Sequence, residues 1–163
     1  MRTKPRSKPR AARLHVSGML LALGLALAPP AWAAEKIEVL SVTASSTDGM
    51  LMDAVDGDGS TAWQNKHAGE RDAWLAVHFA QAAKLKGVRL QLDPTGAETT
   101  IDVEASQDGE AYTAIMKGQH ALKDRLDLTF TKPASALYLR VKFHYAGKGT
   151  APRFRIRELE PLG

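Results

Sequence analysis

Apolar and polar residues alternate along most of the chain after residue 36. The alternation is clearest over Leu75–Phe79, Val88–Leu92 and Leu137–Phe143. A period of two places one face of a strand on a core and the other face in water. The chain is therefore predicted to contain about eight short strands. The other five candidates are Ile101–Val103, Leu126–Phe130 and Phe154–Ile156, with weaker patterns over Ile37–Thr43 and Tyr112–Met116.

No long segment follows the 3.6-residue period of a helix, which argues against parallel strands joined by helices. Many short antiparallel strands must close into a barrel or stack as two sheets. We favour an all-β fold, an eight-stranded antiparallel jelly-roll β-sandwich. Met50–Val55 is expected to form a single helical turn, with Leu51, Ala54 and Val55 on the core.

The first 33 residues are typical of a secretory signal peptide. A basic stretch without acidic residues precedes the apolar run Met19–Ala28, and Ala31-Trp32-Ala33 provides an A-x-A cleavage site. The apolar run is too short to span a bilayer as a mature helix. We expect cleavage to leave one domain over residues 34–163, exported to the periplasm or the extracellular space, without stable membrane insertion.

Charge and cysteine content limit the possible partners. The chain has 22 basic and 18 acidic residues, but six of the basic residues lie in the leader. Without the leader, 16 basic residues remain against 18 acidic ones, a net charge of −2. This balance gives no support to nucleic-acid binding. Because there is no cysteine, an exported domain must be stabilised by its core, with or without a metal ion.

The stretch AVDGDGSTAW (Ala54–Trp63) combines a tight turn with two carboxylates. Gly57 and Gly59 allow the chain to turn sharply. Asp56 and Asp58 can either accept backbone N–H bonds or contribute oxygens to a cation, and calcium prefers such oxygens. An EF-hand is excluded because the twelfth position counted from Asp56 is His67, where a glutamate is required.

Six short motifs in this order resemble the discoidin family, also called the coagulation factor five/eight C-terminal domain. Its bacterial members include the family 32 carbohydrate-binding modules. The resemblance covers nearly all of residues 34–163 and implies an eight-stranded jelly-roll sandwich of the galactose-binding type. The motifs are VTASS (Val42–Ser46), AVDGDGSTAW, WLAVHF (Trp74–Phe79), VEASQDGEAY (Val103–Tyr112), LYLRV (Leu137–Val141) and RELE (Arg157–Glu160).

The resemblance implies a structural calcium ion and assigns packing roles to several residues. Trp63 and Trp74 are expected to pack in the core, and Asp108-Gly109 to form a hairpin turn in front of Tyr112. The implied calcium ligands come from the turn and from an acid in the last strand. They are Asp56, Asp58, Ser60 or Thr61, and Glu158.

Sugar-binding members of the family use loops at one end of the sandwich. A flat aromatic ring covers the C–H face of a pyranose, and planar polar groups bind its hydroxyls. Tyr145 is the expected stacking ring, because its glycine- and lysine-rich surroundings leave it little core to join. The candidate ligand-binding residues are His67, Arg71, His144, Tyr145 and Arg153.

The motifs of a catalytic site are missing from the sequence. No pair of histidines has zinc-site spacing, and no nucleophile elbow, phosphate loop or dinucleotide fingerprint occurs. We therefore predict a non-catalytic binding module, with a glycan or cell-envelope polysaccharide as ligand. The alternative is a periplasmic module that binds an envelope protein through the same loops or a sheet face.

Overall fold

The computed structural model describes residues 37–163. The leader inferred for residues 1–33 lies outside these described residues. Between residues 37 and 163, no helix is long and apolar enough to cross a bilayer. A 3₁₀ helix covers Leu51–Ala54, and the strands are β1 (Val39–Ala44), β2 (Trp63–Gln64), β3 (Asp72–Leu92), β4 (Thr99–Ser106), β5 (Thr113–His120), β6 (Arg125–Tyr145) and β7 (Arg155–Leu162).

All eight predicted strands are present, but two pairs of them are joined. Leu75–Phe79 and Val88–Leu92 are the two halves of β3, and Leu126–Phe130 and Leu137–Phe143 are the two halves of β6. The register between β3 and β6 shifts between His78 and Ala83, and again between Leu85 and Gly87. Each long strand therefore changes direction without losing its partner, so the break in the alternation marks a bend and not a strand end.

The halves of β3 and β6 belong to two antiparallel layers, as expected for a jelly-roll sandwich. In the first layer, the order is β5, β4, the second half of β6, the first half of β3, and β1. In the second layer, it is the first half of β6, the second half of β3, β7 and β2. The all-β sandwich predicted from the sequence is thus confirmed.

One hydrophobic core fills the space between the layers. Trp63 is fully buried, as predicted, and its ring stacks 6.4 Å from that of Phe143. Phe143 also stacks on Phe154, with ring centroids 5.0 Å apart. The predicted helical turn is confirmed: Ala54 is fully buried, and Leu51 and Val55 pack against the core. The core therefore holds the Asp56–Thr61 turn close to β7.

Candidate functional site

The turn that follows the 3₁₀ helix is held by its own carboxylates. Oδ1 of Asp56 accepts the N–H of Asp58 at 2.8 Å, and Oδ1 of Asp58 accepts the N–H of Ser60 at 2.9 Å. Hydrogen bonds from the side chain and the N–H of Ser60 lower the pKa of Asp58. Glu158 on β7 accepts the N–H of Gly57 at 2.9 Å. The structure therefore brings the distant acid of the last strand to the turn, as the resemblance implied.

Oxygen atoms outnumber hydrogen-bond donors around Thr61. Its hydroxyl oxygen lies 2.9 Å from Oδ2 of Asp56, 2.8 Å from the carbonyl of Asp58 and 3.3 Å from the carbonyl of Asp53. The N–H of Thr61 also reaches the Asp58 carbonyl, at 3.0 Å. A hydroxyl has a single proton, so the other two oxygens compete for it. Such a surplus of oxygens fits the ligand preference of calcium.

Carboxylates alone do not form this oxygen cluster. Between residues 37 and 163, no three His, Asp or Glu side chains are placed so that they could hold a metal ion. A cation at the turn would depend on carbonyl and hydroxyl oxygens besides Asp56. Asp58 would contribute its carbonyl, since its carboxylate is bound to Ser60.

Asn65 joins the loops at one end of the sandwich. Its side chain is fully buried and donates to the carbonyl of His67 at 2.8 Å and to Glu70 at 3.0 Å. It accepts the N–H of Phe154 at 2.7 Å. Hydrogen bonds from Asn65 and then Ser46 lower the pKa of Glu70. Sequence reasoning missed Asn65, because its partner Phe154 is 89 residues away and no local pattern indicates the contact.

Arg71 holds the neighbouring loop in place. Its Nη1 donates to the carbonyls of Tyr145 at 3.2 Å and Gly147 at 2.8 Å, and its Nη2 donates to Gly149 at 3.5 Å. Its guanidinium carbon also lies 5.5 Å from the centroid of the Tyr145 ring. Arg71, predicted as a ligand-binding residue, therefore uses its donors inside the protein.

The expectation that Tyr145 has little core to join was wrong. Its side chain is only 7% exposed and belongs to the hydrophobic core. Its hydroxyl donates to Glu98 at 2.9 Å, and this bond, followed by burial, raises its pKa. Tyr145 closes β6, where its alternation with buried Val141 and Phe143 points it inward. A buried ring offers no face for a sugar to stack on.

The other three candidate ligand-binding residues are exposed at this same end. His144 lies 2.8 Å from Asp72, and Arg153 donates to Asp48 at 2.7 Å. His67 is also exposed. The N–H of Gly69 donates to the carbonyl of Ala151 at 2.9 Å and so links the two loops. We call this set of exposed polar side chains the rim; it consists of Asp48, His67, Asp72, His144 and Arg153.

A second group of candidate side chains lies on the outer face of the first layer. Trp74 and Arg140 alternate with buried Leu75 and Val141, so they point away from the core. The predicted core packing of Trp74 was wrong, and the strand alternation itself could have placed this side chain outside. Trp74 and Arg140, together with Tyr112 and Glu104, are called the outer-face cluster.

Arg140 organises the outer-face cluster. Its Nε donates to Glu104 at 2.6 Å. Its guanidinium carbon lies 3.7 Å from the centroid of the Tyr112 ring and 5.7 Å from that of Trp74. Burial raises the pKa of Tyr112, because it disfavours the charged phenolate. The cluster combines aromatic surface with a fixed planar cation, which suits stacking and hydrogen bonding.

Comparison with known proteins identifies the fold independently of the geometry. The family model of the F5/8 type C domain matches residues 41–156. The comparison with curated protein sequences returned no significant match.

Several solved structures resemble this chain. Chitosan-binding module 1 of a chitosanase/glucanase from Paenibacillus sp. IK-5 has a TM-score of 0.66 and 23% identity, over 78% of this chain and 97% of that one. The family 32 module of C. perfringens NanJ, solved with galactose, has a TM-score of 0.62 and 22% identity, over 76% and 93%. The family 32 module of AlyQ, solved with 4,5-unsaturated mannuronic acid, has a TM-score of 0.63 and 20% identity, over 78% and 98%.

Proposed function

Because the chain belongs to the F5/8 type C domain family, we propose that it is an exported, non-catalytic carbohydrate-binding module with a structural calcium ion. Structures that share its fold were solved as chitosan-binding, galactose-bound and mannuronate-bound modules. The leader over residues 1–33 supports export. The ligand is a glycan, such as a polysaccharide of the cell envelope.

The observation that carries this proposal is a rim of polar side chains at the ends of β3 and β6 and on loops that are already locked. Asn65 fixes the loop that carries His67, and Arg71 fixes the loop after Tyr145 through three carbonyls. Ordering a loop upon binding costs free energy, so a loop that is fixed beforehand binds more tightly. The rim therefore presents its side chains to a ligand at a low entropic cost.

The rim has hydrogen-bonding capacity left for sugar hydroxyls. His144 uses Nδ1 with Asp72, and Arg153 uses Nη1 with Asp48. Within residues 37–163, the remaining ring nitrogen of His144 and the other nitrogens of Arg153 have no protein partner. Both pairs are well exposed, so sugar hydroxyls can add to them or exchange with them at little cost.

The structural calcium ion belongs to the turn next to β7. Asp56, the carbonyls of Asp53 and Asp58, and the hydroxyl of Thr61 would hold it, while Glu158 ties the turn to β7. Bound there, the ion would satisfy the surplus oxygens and stabilise the turn.

Binding to a glycan array tests the main proposal. The purified protein should be retained on at least one glycan, and the double variant His144→Ala/Arg153→Ala should bind that glycan at least tenfold more weakly, because both rim pairs are lost. Lys132→Ala is the matched control, since Lys132 is an exposed cation on a different part of β6; it should bind like the unmodified protein.

A protein that ignores every glycan would overturn the proposal. If the same protein co-purified with an envelope protein, and if the rim variant abolished that association, the alternative of a protein-binding module would replace it.

A further inference from the structure

Arg140 is held in one orientation, but its two Nη groups are left available for hydrogen bonds. Nε is bound to Glu104, and the guanidinium lies against the Tyr112 ring. Its side chain is 23% exposed and that of Glu104 is 15% exposed. In the described part of the chain, neither Nη atom has a protein partner. Thr95 Oγ1 and Arg157 Nε are the only buried side-chain nitrogen or oxygen atoms there that lack a hydrogen bond, so both Nη groups of Arg140 reach water.

The edge of Arg140 that carries its two Nη groups matches the shape of a carboxylate. Its Nη1 and Nη2 groups present parallel N–H donors, which bind the two oxygens of a carboxylate in a bidentate manner. Glu104 and Tyr112 hold the guanidinium in place, so less side-chain entropy is lost when it binds. Partial burial also strengthens its interaction with an anion compared with a fully exposed arginine.

Trp74 lies next to this edge and is half-buried on the outer face. Its ring centroid is 5.7 Å from the Arg140 guanidinium carbon. An indole ring provides a flat apolar surface for the C–H face of a pyranose. A sugar stacked on Trp74 would therefore place its ring substituents close to Arg140.

Charge on the outer face favours an acidic sugar at Trp74. Lys142 is the cross-strand partner of Trp74, and Arg140 lies two residues before it on β6. The acids Asp102 and Glu104 lie one strand farther away, on β4, and Asp102 accepts the N–H of Gly118 at 2.8 Å. Both charges next to Trp74 on the neighbouring strand β6 are thus positive, while Asp72, two residues before Trp74 on the same face of β3, is engaged by His144 at 2.8 Å.

The outer-face cluster is also continuous with the rim. Lys142 and His144 follow Arg140 on the same face of β6, at alternate positions. Because i and i+2 side chains share a face of a strand, a polysaccharide bound at His144 can extend along β6 towards Trp74.

We propose that the outer-face cluster is a second glycan subsite, which binds a uronic acid unit with its pyranose ring on Trp74 and its carboxylate on Arg140. This inference rests on the proposed function and names the ligand class that the module prefers. It predicts that negatively charged polysaccharides bind more tightly than neutral ones of the same backbone.

Titration calorimetry with defined probes tests the subsite. The probes are oligogalacturonate and oligomannuronate, each alongside its fully methyl-esterified form, with the full chain. The acid form of at least one oligomer should bind at least tenfold more tightly than its ester, and more weakly as salt is raised. Arg140→Gln and Trp74→Ala should each remove this preference, whereas Lys132→Ala should leave it unchanged.

Arg140→Lys separates recognition from structure. It keeps the positive charge next to Glu104 but loses the planar fork, so we expect an unchanged melting temperature within a few degrees and a loss of at least fivefold in affinity for the acid probe. Equal affinity for acid and ester, or acid binding that survives Arg140→Gln and Trp74→Ala, would overturn the subsite.

The rim double variant His144→Ala/Arg153→Ala distinguishes the two proposals. If glycans bind and only the rim variant weakens this binding, the second subsite is wrong and the proposed function stands. If neither the acid probes nor any glycan on the array binds, both proposals fail.

Discussion

Two Asp-Gly turns in this protein have similar sequences but differ in how their hydrogen-bond donors are distributed over their acceptor oxygens. In the turn at residues 106–111, Oδ1 of Asp108 accepts the N–H groups of Glu110 and Ala111, both at 2.9 Å. Ser106 donates its hydroxyl to Asp108 and accepts the N–H of Gly109 at 2.9 Å. Three donors of the turn thus converge on one carboxylate oxygen and close the turn.

The turn at residues 53–61 places more oxygens than protein donors around Thr61. The carbonyl of Asp53 and Oδ2 of Asp56 compete for the one hydroxyl proton of Thr61. Aspartate and glycine therefore indicate a turn in both cases. The turn suited to a cation is distinguished by several oxygens that share one hydroxyl proton. Three predictions test this difference.

Calcium should stabilise the protein only through the turn at residues 53–61. At a free concentration one hundred times Kd, binding to the folded state adds about 2.7 kcal/mol to the free energy of unfolding, which raises the melting temperature by several degrees. Asp56→Ala should abolish this shift. Asp108→Ala should lower the melting temperature but keep the shift, because Oδ1 of Asp108 already accepts three hydrogen bonds inside its own turn. Differential scanning calorimetry with calcium or excess chelator measures both.

Equal melting temperatures of the unmodified protein in calcium and in chelator would count against the ion. A shift that survives Asp56→Ala would place the ion elsewhere.

The glycines of the two turns should respond differently to alanine. Gly57 and Gly109 have φ angles of +81° and +79°, so both substitutions strain the backbone, at a cost of about 1 kcal/mol or more. A Cβ at Gly57 would meet nothing within 4 Å, whereas one at Gly109 would lie 3.0 Å from the Tyr138 ring. We expect Gly109→Ala to cost about 1 kcal/mol more than Gly57→Ala in urea unfolding with chelator present. Equal costs would contradict the close contact with Tyr138.

The turn at residues 106–111 should give an effect on stability that depends on pH and is smaller than the two effects above. Hydrogen bonds from the N–H groups of Glu110 and Ala111 lower the pKa of Asp108 in the folded state. The contribution of Asp108 to the free energy of unfolding is therefore complete above the unfolded pKa of about 3.9. It is lost as the pH falls through the lower pKa of the folded state. Urea midpoints at pH 5, 4 and 3 should fall less steeply for Asp108→Asn than for the unmodified protein. Parallel slopes would show that this carboxylate is not coupled to folding.

The sequence predicted the fold because alternation records which side chains face the core. It separated β3 and β6 into four strands because Ala80–Lys86 in β3 and Thr131–Ala136 in β6 interrupt the apolar pattern. The chain bends there and continues to pair with the same neighbour. Local hydrophobicity does not distinguish a bent strand from two strands.

The site was less predictable because its key contacts are long-range. Asn65 and Phe154 are 89 residues apart, and Arg71 and Gly147 are 76 apart. Tyr145 was misjudged from its glycine-rich neighbours, although its position on β6 determines its burial. Trp74 was misjudged by analogy, whereas its alternation with Leu75 placed it on the outer face. The strand pattern was the better guide in both cases.

The bond between Gly57 and Glu158 spans 101 residues and has a consequence for the order of assembly. Nearly the whole domain separates the two ends of this contact, and closing such a long loop is slow. We therefore expect the turn to reach its final shape only after the last strand has docked beside β3. Calcium affinity would then appear late in folding, and the ion would bind finished molecules in preference to incomplete ones.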